Sequence, residues 1–166
     1  MNVWHDIEKE RITPESFVAC IEIPKGSKNK YEIDKNLGLL VLDRILYTST
    51  HYPANYGFIP RTFASDGDAL DVLVLCSETL FPLSLVNCKP IGVIEMIDGD
   101  NRDEKIIAVT VGDPSISHYD ELEDLPPHMI AEMHHFFDVY KVLEGQKTHV
   151  LNIENREAAL KIIAES

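Results

Sequence analysis

Short apolar runs separated by turn residues dominate the first two thirds of the chain. Continuous apolar stretches rich in β-branched side chains predict buried strands at residues 17–23, 39–46, 72–75, 86–96 and 105–109. Residues 30–34 alternate instead, so that Lys30, Glu32 and Asp34 share one face while Tyr31 and Ile33 share the other. Between them, residues 51–60 form a turn-rich segment with two tyrosines. The pattern predicts a mainly β fold.

The last quarter of the chain has a helical pattern. Pro126 and Pro127 open a predicted helix, because the fixed φ of proline suits a first helical turn. Its apolar stripe comprises Met129, Ile130, Met133, Phe136, Phe137 and Tyr140, and Glu144-Gly145 is expected to end it. Asn155 is expected to cap a second helix over residues 156–164, after one more strand at 147–153. Residues 1–16 are an irregular or short helical lead-in.

An acidic turn stands directly before the strand at 72–75. Asp66, Asp68 and Asp71 fall within six residues, around the turn signal Asp66-Gly67. Asp66 and Asp68 share parity, so a bend must precede Asp71 if the three carboxylates are to converge. Carboxylates clustered without cationic partners repel each other unless a cation lies among them, and hard divalent cations prefer oxygen ligands. The turn therefore predicts a metal site.

Three other interpretations of this turn are weaker. Solvated side chains of an ordinary Asp-Gly turn would explain any one of the aspartates, but less well three at the mouth of a buried strand. An EF-hand loop counted from Asp66 would need Gly and Glu where Asp71 and Ser77 stand. A phosphatase-type aspartate would follow an apolar strand, which residues 62–65 do not form.

A second acidic segment follows the strand at 86–96. It predicts a hairpin whose tip carries Asp98, Asp100, Asp103 and Glu104. Taken alone, the segment is typical of a solvated hairpin tip. Beside the first aspartate cluster it supplies the opposite wall of a polynuclear metal site.

Several polar residues remain open to two interpretations. Glu22 lies in an apolar run, either at a solvent-exposed edge or in a site. Lys30 and Glu32 either belong to a solvated strand face, or Lys30 meets a phosphate and Glu32 orients Lys30 toward it. Arg44 is expected to be paired or functional. His128, His134 and His135 lack the spacing of a zinc site and are expected on the helix surface.

Composition and charge narrow the function. The 166 residues suit a single domain, residues 1–166, and the formal net charge is −13. Nucleic acid and anionic membranes both require a basic face, so neither is expected as a partner. The three cysteines, Cys20, Cys76 and Cys88, predict reduced thiols in a cytoplasmic protein. There is no signal peptide pattern and no apolar run near the ~18 residues that span a bilayer.

Four motifs together resemble the soluble family I inorganic pyrophosphatases of the bacterial type. They are residues 21–24 (Ile-Glu-Ile-Pro), 30–34 (Lys-Tyr-Glu-Ile-Asp), 52–57 (Tyr-Pro-Ala-Asn-Tyr-Gly) and 66–72 (Asp-Gly-Asp-Ala-Leu-Asp-Val). The resemblance runs from residue 21 to 109 and resumes at Tyr140-Lys141. It implies a five-stranded closed barrel of the OB type with two flanking α-helices, and hydrolysis of pyrophosphate by attack of a metal-bound water or hydroxide, with several Mg²⁺ ions. Mn²⁺ or another divalent ion would serve as a substitute.

The resemblance also implies a role for individual residues. Asp68 matches the general base. Asp66, Asp71 and Asp103 would ligate a first metal, Asp71 would bridge to a second, and Asp98 with Asp103 would hold a further one. Glu22, Glu32 and Tyr52 would surround these ligands. The residues that would hold phosphate oxygens are Lys30, Arg44, Tyr56, Lys105, Tyr140 and Lys141. Gly99 departs from the acid expected in many relatives.

Two functions of other classes remain as alternatives. A nucleoside-diphosphate hydrolase would need a surface on which a base stacks, and none is recognisable. A non-catalytic OB-type binding module would present basic and aromatic strand faces, whereas the faces here are acidic. The resemblance further implies a homohexamer built from two trimers, and the apolar-rich helix with its clustered His134 and His135 is the expected subunit contact.

Overall fold

Eight strands and two α-helices form the fold of residues 1–166, which a computed structural model describes. The elements in chain order are β1 (Phe17–Ile23), β2 (Asn29–Ile33), β3 (Leu40–Ile45), β4 (Asn55–Ile59), β5 (Leu70–Leu75), β6 (Leu85–Asp98), β7 (Asn101–Thr110), α1 (Pro127–Val139), β8 (Thr148–Asn155) and α2 (Arg156–Glu165). None of the helices is long and apolar enough to cross a membrane.

Five of the strands close into a ring. The neighbours run in the order β1, β4, β5, β7 and β6, and β6 pairs back with β1. All these pairs are antiparallel except β5 with β7. β8 extends the sheet beyond β6, while β2 and β3 form a separate hairpin. The expected mainly β fold with a five-stranded closed barrel and two flanking helices is confirmed.

β4 lies in the segment whose prolines and glycine predicted only turns. All five of its residues are buried, and Gly57 pairs with Ile21 of β1. A Cβ atom at Gly57 would lie 1.8 Å from the carbonyl oxygen of Cys20. Gly57 is therefore required for the close approach of the two strands. The glycine that suggested a turn is present because a side chain would not fit between β4 and β1.

The hairpin of β6 and β7 is longer than the sequence predicted. β6 continues to Asp98, and β7 already begins at Asn101. Asp103 and Glu104 therefore lie within β7, paired with Met96 and Glu95, and not at the hairpin tip as expected. β8 pairs with β6 as far as Asp98 and so supports this extension. The acidic residues had instead predicted a solvated hairpin tip.

Alternate residues of β5, β6 and β7 build two different cores. On the side that we call the α2 face, the packed residues are Leu70, Val72, Val74, Val93, Ile106 and Ala108, with Ala159 and Ile163 of α2. On the side that we call the α1 face, they are Leu73, Leu75, Ile94, Met96, Ile107 and Val109, with Met133, Phe136 and Phe137 of α1. Strand alternation places Asp71, Asp98, Asp103 and Lys105 on the α1 face.

The helix ends differ in how well the sequence predicted them. The side chain of Asn155 accepts a hydrogen bond from the backbone amide of Ala158 at 3.1 Å, which confirms it as the cap of α2. α1 ends at Val139, five residues earlier than predicted, and a short 3₁₀ turn (Val142–Glu144) follows. His128 and His134 lie on the surface of α1, beside Glu132 and Asp138, as expected.

Candidate active site

An acidic cavity of about 320 Å³ opens at one end of the barrel. Its walls come from β2, from the ends of β5, β6 and β7, from the residues after α1, and from the first residues of the chain. Eight carboxylates line it: Glu22, Glu32, Asp34, Asp66, Asp68, Asp71, Asp98 and Asp103. Only four lysines accompany them: Lys30, Lys35, Lys105 and Lys141. When all are ionised, the cavity carries an excess of four negative charges.

Lys105 joins the two strands at the floor of the cavity. Parallel pairing places Asp71 of β5 directly opposite Lys105 of β7. The Lys105 ammonium donates to Asp71 Oδ2 at 3.0 Å and to the Tyr56 hydroxyl at 2.8 Å, and lies 3.0 Å from Asp103 Oδ2. Two carboxylates from different strands therefore converge on one point of positive charge.

Burial makes these charges strongly dependent on one another. Burial alone would lower the pKa of Lys105, but Asp71, Tyr56 and Asp103 outweigh it and raise that pKa well above its ordinary value. The pKa of Asp71 is raised, chiefly by burial and further by Asp103, while Lys105 opposes the shift. The Asp71 carboxylate thus depends on a neighbouring cation to stay ionised.

The acidic turn brings Asp66 and Asp68 to the mouth of the cavity. Gly67 has a φ of +86°, which a residue with a side chain rarely adopts. The Asp68 amide donates to Asp66 Oδ1 at 3.0 Å, and the Ala64 amide donates to the Asp68 carbonyl at 2.7 Å. The Asp68 carboxylate pairs with Lys35 and is largely exposed. The bend expected before Asp71 is therefore present.

Glu22 faces the cavity and is not at a solvated edge. Its Oε2 atom accepts a hydrogen bond from the Ile33 amide at 2.8 Å, which ties β1 to β2. Burial raises the pKa of Glu22 to about 7, Asp71 raises it further, and the hydrogen bond and Lys30 oppose the rise. Glu32, on β2, lines the same wall.

Three tyrosines form an aromatic wall that continues into the core. Tyr52 and Tyr56 have ring centroids 5.2 Å apart, and Tyr140 stacks on Phe136 at 5.1 Å. Burial raises the pKa of all three hydroxyl groups. Each hydroxyl therefore stays protonated at neutral pH and can donate to an anion.

Lys141 and Asp98 form another wall of the cavity. The Lys141 ammonium donates to Asp98 Oδ2 at 2.5 Å, which connects the residue after α1 to the end of β6. Both residues are mostly buried and line the cavity.

Arg44 does not line the cavity. Its guanidinium pairs with Asp43 Oδ2 at 2.5 Å and with Glu144 Oε1 at 2.7 Å, and Asp43 also pairs with Lys30 at 3.3 Å. Burial opposes its charge, but Glu144 and Asp43 raise the pKa of Arg44. The structure thus connects Arg44 to the cavity only through Asp43 and Lys30, and its contact with phosphate stays a prediction.

The carboxylates fit divalent cations by their chemistry. No group of three or more histidine, cysteine or carboxylate side chains lies close enough together to hold a metal. Asp71 and Asp103 nevertheless share one ammonium, so both already direct an oxygen at one cation. Oxygen-only donors in excess over lysines suit Mg²⁺ or Mn²⁺ better than softer ions.

Sequence reasoning missed several residues that the structure brings to this site. Asp34 and Lys35 follow β2, and Asn2, Val3 and Trp4 come from the start of the chain. Lys35 lies 33 residues from Asp68, so no local pattern connects them. The register of β2 with β3 shifts between Lys30 and Tyr31, where Asp43 of β3 is the extra, unpaired residue.

Comparisons with known proteins point to one family. A family model described as inorganic pyrophosphatase matches residues 19–166. The chain is 49% identical over 154 residues to an inorganic pyrophosphatase of Halalkalibacterium halodurans, covering 93% of this chain and 94% of that one. It is 47% identical over 164 residues to a soluble inorganic pyrophosphatase of Chlamydomonas reinhardtii, covering 98% and 85%. A crystal structure of the enzyme from Thermus thermophilus superposes with a TM-score of 0.92, at 38% identity over 99% and 98% of the chains.

Proposed function

The chain belongs to the inorganic pyrophosphatase family, whose members hydrolyse pyrophosphate, and on that premise we propose how its own cavity performs the reaction. Pyrophosphate is a multiply charged anion, and the cavity holds eight carboxylates against four lysines. That excess of negative charge is the observation that carries the proposal. Divalent cations held by these carboxylates, foremost Mg²⁺, would supply the positive charge that lets the substrate bind.

The carboxylates divide between holding cations and accepting a proton. Asp66, Asp71 and Asp103 would hold one cation, with Asp71 shared by a second and Asp98 serving a further one. Glu22 and Glu32 add negative charge behind them. When bound, the cations supply charge neutralisation and lower the pKa of water toward neutrality.

Phosphate oxygens are held by the ammonium and hydroxyl donors that lie among these carboxylates. Lys30, Lys105 and Lys141 supply ammonium groups, and Tyr56 and Tyr140 supply protonated hydroxyls that line the same cavity. Tyr52 supports Tyr56 by direct aromatic contact. These donors stabilise the charge that develops on the leaving phosphate. Lys105 would exchange part of its contact with Asp71 for a phosphate oxygen.

Asp68 accepts the proton of the attacking water. Water adds its oxygen to one phosphorus while the bond from that phosphorus to the bridging oxygen breaks, and the second phosphate leaves. The exposed carboxylate of Asp68 at the cavity mouth is free of the Asp71–Lys105–Asp103 group, which suits a proton acceptor. No serine or cysteine is needed as a nucleophile.

An assay of phosphate release tests this function. With pyrophosphate and Mg²⁺ we expect turnover that a chelator abolishes, and far slower release from ATP. Asp71→Asn should lose metal affinity and rate together, and raised Mg²⁺ should restore part of the rate. The matched control is Asp120→Asn, because Asp120 pairs with Lys89 outside the cavity. Unchanged metal affinity in Asp71→Asn, or equal turnover of ATP, would contradict the proposal.

The same proposal includes self-association as a homohexamer in the cytoplasm. β3 and the 3₁₀ turn after α1, which the Arg44–Glu144 ion pair connects, expose Leu42, Ile45, Val142 and Leu143. Exposed apolar side chains gathered in this way suit a subunit contact. Light scattering between pH 7.5 and 5.5 tests the assembly and the expected place of His134 and His135 at a subunit contact. A monomer throughout would reject it.

A further inference from the structure

The first seven residues, which we call the N-terminal strap, are fastened across the mouth of the cavity. The Arg61 amide donates to the Trp4 carbonyl at 2.9 Å, and its guanidinium donates to the carbonyls of His5 and Ile7. The Trp4 indole donates to the Thr62 carbonyl at 2.9 Å. Ile7 is buried and Asn2, Val3 and Trp4 are half-buried, so the strap has a defined position, and the last three of these residues line the cavity.

Trp4 supports a lysine that would otherwise be free to move. The Lys35 ammonium lies 3.9 Å from the centroid of the Trp4 ring, within the range of a cation–π contact. Lys35 follows β2 in a turn that the Asp34 carboxylate fixes by accepting from the amides of Asn36 and Leu37 at 2.8 and 3.0 Å. The backbone and the tip of Lys35 are therefore both held.

The held ammonium has one anionic partner, the Asp68 carboxylate. Lys35 makes the only side-chain hydrogen bond of that carboxylate. The backbone of Asp68 is fixed by the acidic turn, so Lys35 decides where its carboxylate points. The contact runs from the strap through Trp4 and Lys35 to the proton acceptor of the proposed reaction.

We propose that Lys35, supported on Trp4 of the N-terminal strap, is a positioning residue that aims the Asp68 carboxylate at the attacking water. The inference rests on the proposed function of Asp68. Lys35 needs no contact with substrate for this role. An orienting contact affects the rate of proton transfer more than substrate binding, because a small misplacement of the acceptor weakens the reaction geometry.

Steady-state kinetics of paired variants test this role. Lys35→Met keeps the length of the side chain but removes the ammonium, and we expect kcat to fall roughly tenfold while KM for pyrophosphate changes less than about threefold. Lys35→Arg should restore most of kcat, because a guanidinium also stacks on an indole and pairs with a carboxylate. Lys89→Met is the matched control, since Lys89 pairs with Asp120 away from the cavity.

A double-substitution cycle identifies the partner. If Lys35 acts through Asp68, Lys35→Met should lower kcat less than about twofold when Asp68→Asn is already present. An equal loss of kcat in both backgrounds would overturn the inference, and so would an unchanged kcat in the wild-type background. A rise in KM alone would also overturn it, because Lys35 would then contact substrate. Trp4→Leu should reproduce part of the Lys35→Met defect, and Trp4→Phe should not.

Fluorescence gives a readout that needs no turnover. Trp4 is the only tryptophan of the chain, so its emission reports on the ammonium above its ring. Lys35→Met should change that emission without metal or substrate, and Lys89→Met should leave it unchanged. Identical emission from all three proteins would overturn the contact itself. A wild-type protein that fails to hydrolyse pyrophosphate with Mg²⁺ would overturn the proposed function before any variant is compared.

Discussion

The α2 face and the α1 face are built from alternate residues of the same three strands, yet they differ in chemistry. The core of the α2 face is aliphatic, apart from Phe17 and Cys88. The α1 face adds tyrosines and phenylalanines to its aliphatic residues, and it ends in Asp71, Asp98, Asp103 and Lys105. Because neighbouring residues point to opposite faces, one strand can stabilise the fold and build the site at once.

The difference shows where stability and activity separate. Burying aliphatic side chains stabilises the fold, whereas burying charges costs free energy unless they are paired. The cavity accepts that cost at Glu22, Asp71 and Lys105, whose pKa values are all shifted. Substitutions on the α2 face should therefore change the free energy of unfolding, and substitutions in the cavity should mainly change turnover.

Asp68→Asn should cause the largest loss of activity with the least change of fold. Asparagine keeps the shape and one acceptor oxygen but cannot take a proton, so kcat should fall by about 10²–10⁴-fold, or roughly 3–5 kcal/mol. High pH should restore part of the rate, because hydroxide then becomes available from solvent. Stopped assays and thermal unfolding measure the two effects. Metal affinity lost as severely as in Asp71→Asn, or near-normal turnover, would contradict the role.

Ile163→Ala tests the other face. Ile163 of α2 is buried against the aliphatic core, so the free energy of unfolding should fall by about 2–4 kcal/mol. Urea unfolding without metal measures this loss. At 25 °C the folded protein should keep kcat within about twofold, since Ile163 does not line the cavity. A loss of kcat at unchanged stability would erase the proposed separation of the two faces.

Arg44→Lys probes a residue that belongs neither to the cavity nor to the α2 face. The guanidinium pairs with Asp43 and Glu144 at once, which a lysine cannot reproduce with the same geometry. If Arg44 turns toward phosphate during the reaction, kcat/KM should fall. The decrease should correspond to a loss of roughly 1–3 kcal/mol in transition-state stabilisation. Lys28→Met serves as the control, because Lys28 is a basic residue that does not line the cavity. Wild-type kinetics with reduced unfolding free energy would make Arg44 a purely structural residue.

Glu22→Gln should stabilise the metal-free protein, and this change in free energy is the smallest of the four predicted here. The pKa of Glu22 rises from 4.5 to about 7 on folding, so between these values the folded state holds a proton that the unfolded state has released. Stability therefore falls as pH rises through this window, and the penalty is complete above about pH 7. Glutamine keeps the acceptor for the Ile33 amide, and at pH 8 we expect a gain of roughly 1–2 kcal/mol. Urea midpoints of both proteins at pH 4 and pH 8 measure it, and an equal difference at both would contradict the assignment.

Local patterns predicted the strands that bury continuous apolar runs, and they predicted the cap at Asn155. They failed where packing decides the backbone. Gly57 is a strand residue because Cys20 approaches it too closely for a side chain, which no local rule reports. The extension of β7 to Asn101 depends on its pairing with β6, which in turn pairs with β8.

The site divides in the same way. Asp66, Asp68 and Asp71 are close in sequence, so their spacing and the bend at Gly67 predicted an acidic cluster. Trp4, Lys35 and Asp68 come from three distant segments, and only tertiary structure brings them together. Arg44 was expected at phosphate from resemblance, while its pairing with Glu144 depends on the turn that follows α1.

The parallel pairing of β5 with β7 has a consequence for how the protein is made. Asp71 and Lys105 are 34 residues apart, and every residue of β6 lies between them. Such non-local pairings form slowly, because the intervening chain must first be ordered. A nascent chain that ends before β7 therefore carries the acidic turn but not its buried lysine. We expect such a chain to be inactive and not merely slower, because Asp103, Lys105, Tyr140 and Lys141 of the cavity are all still missing.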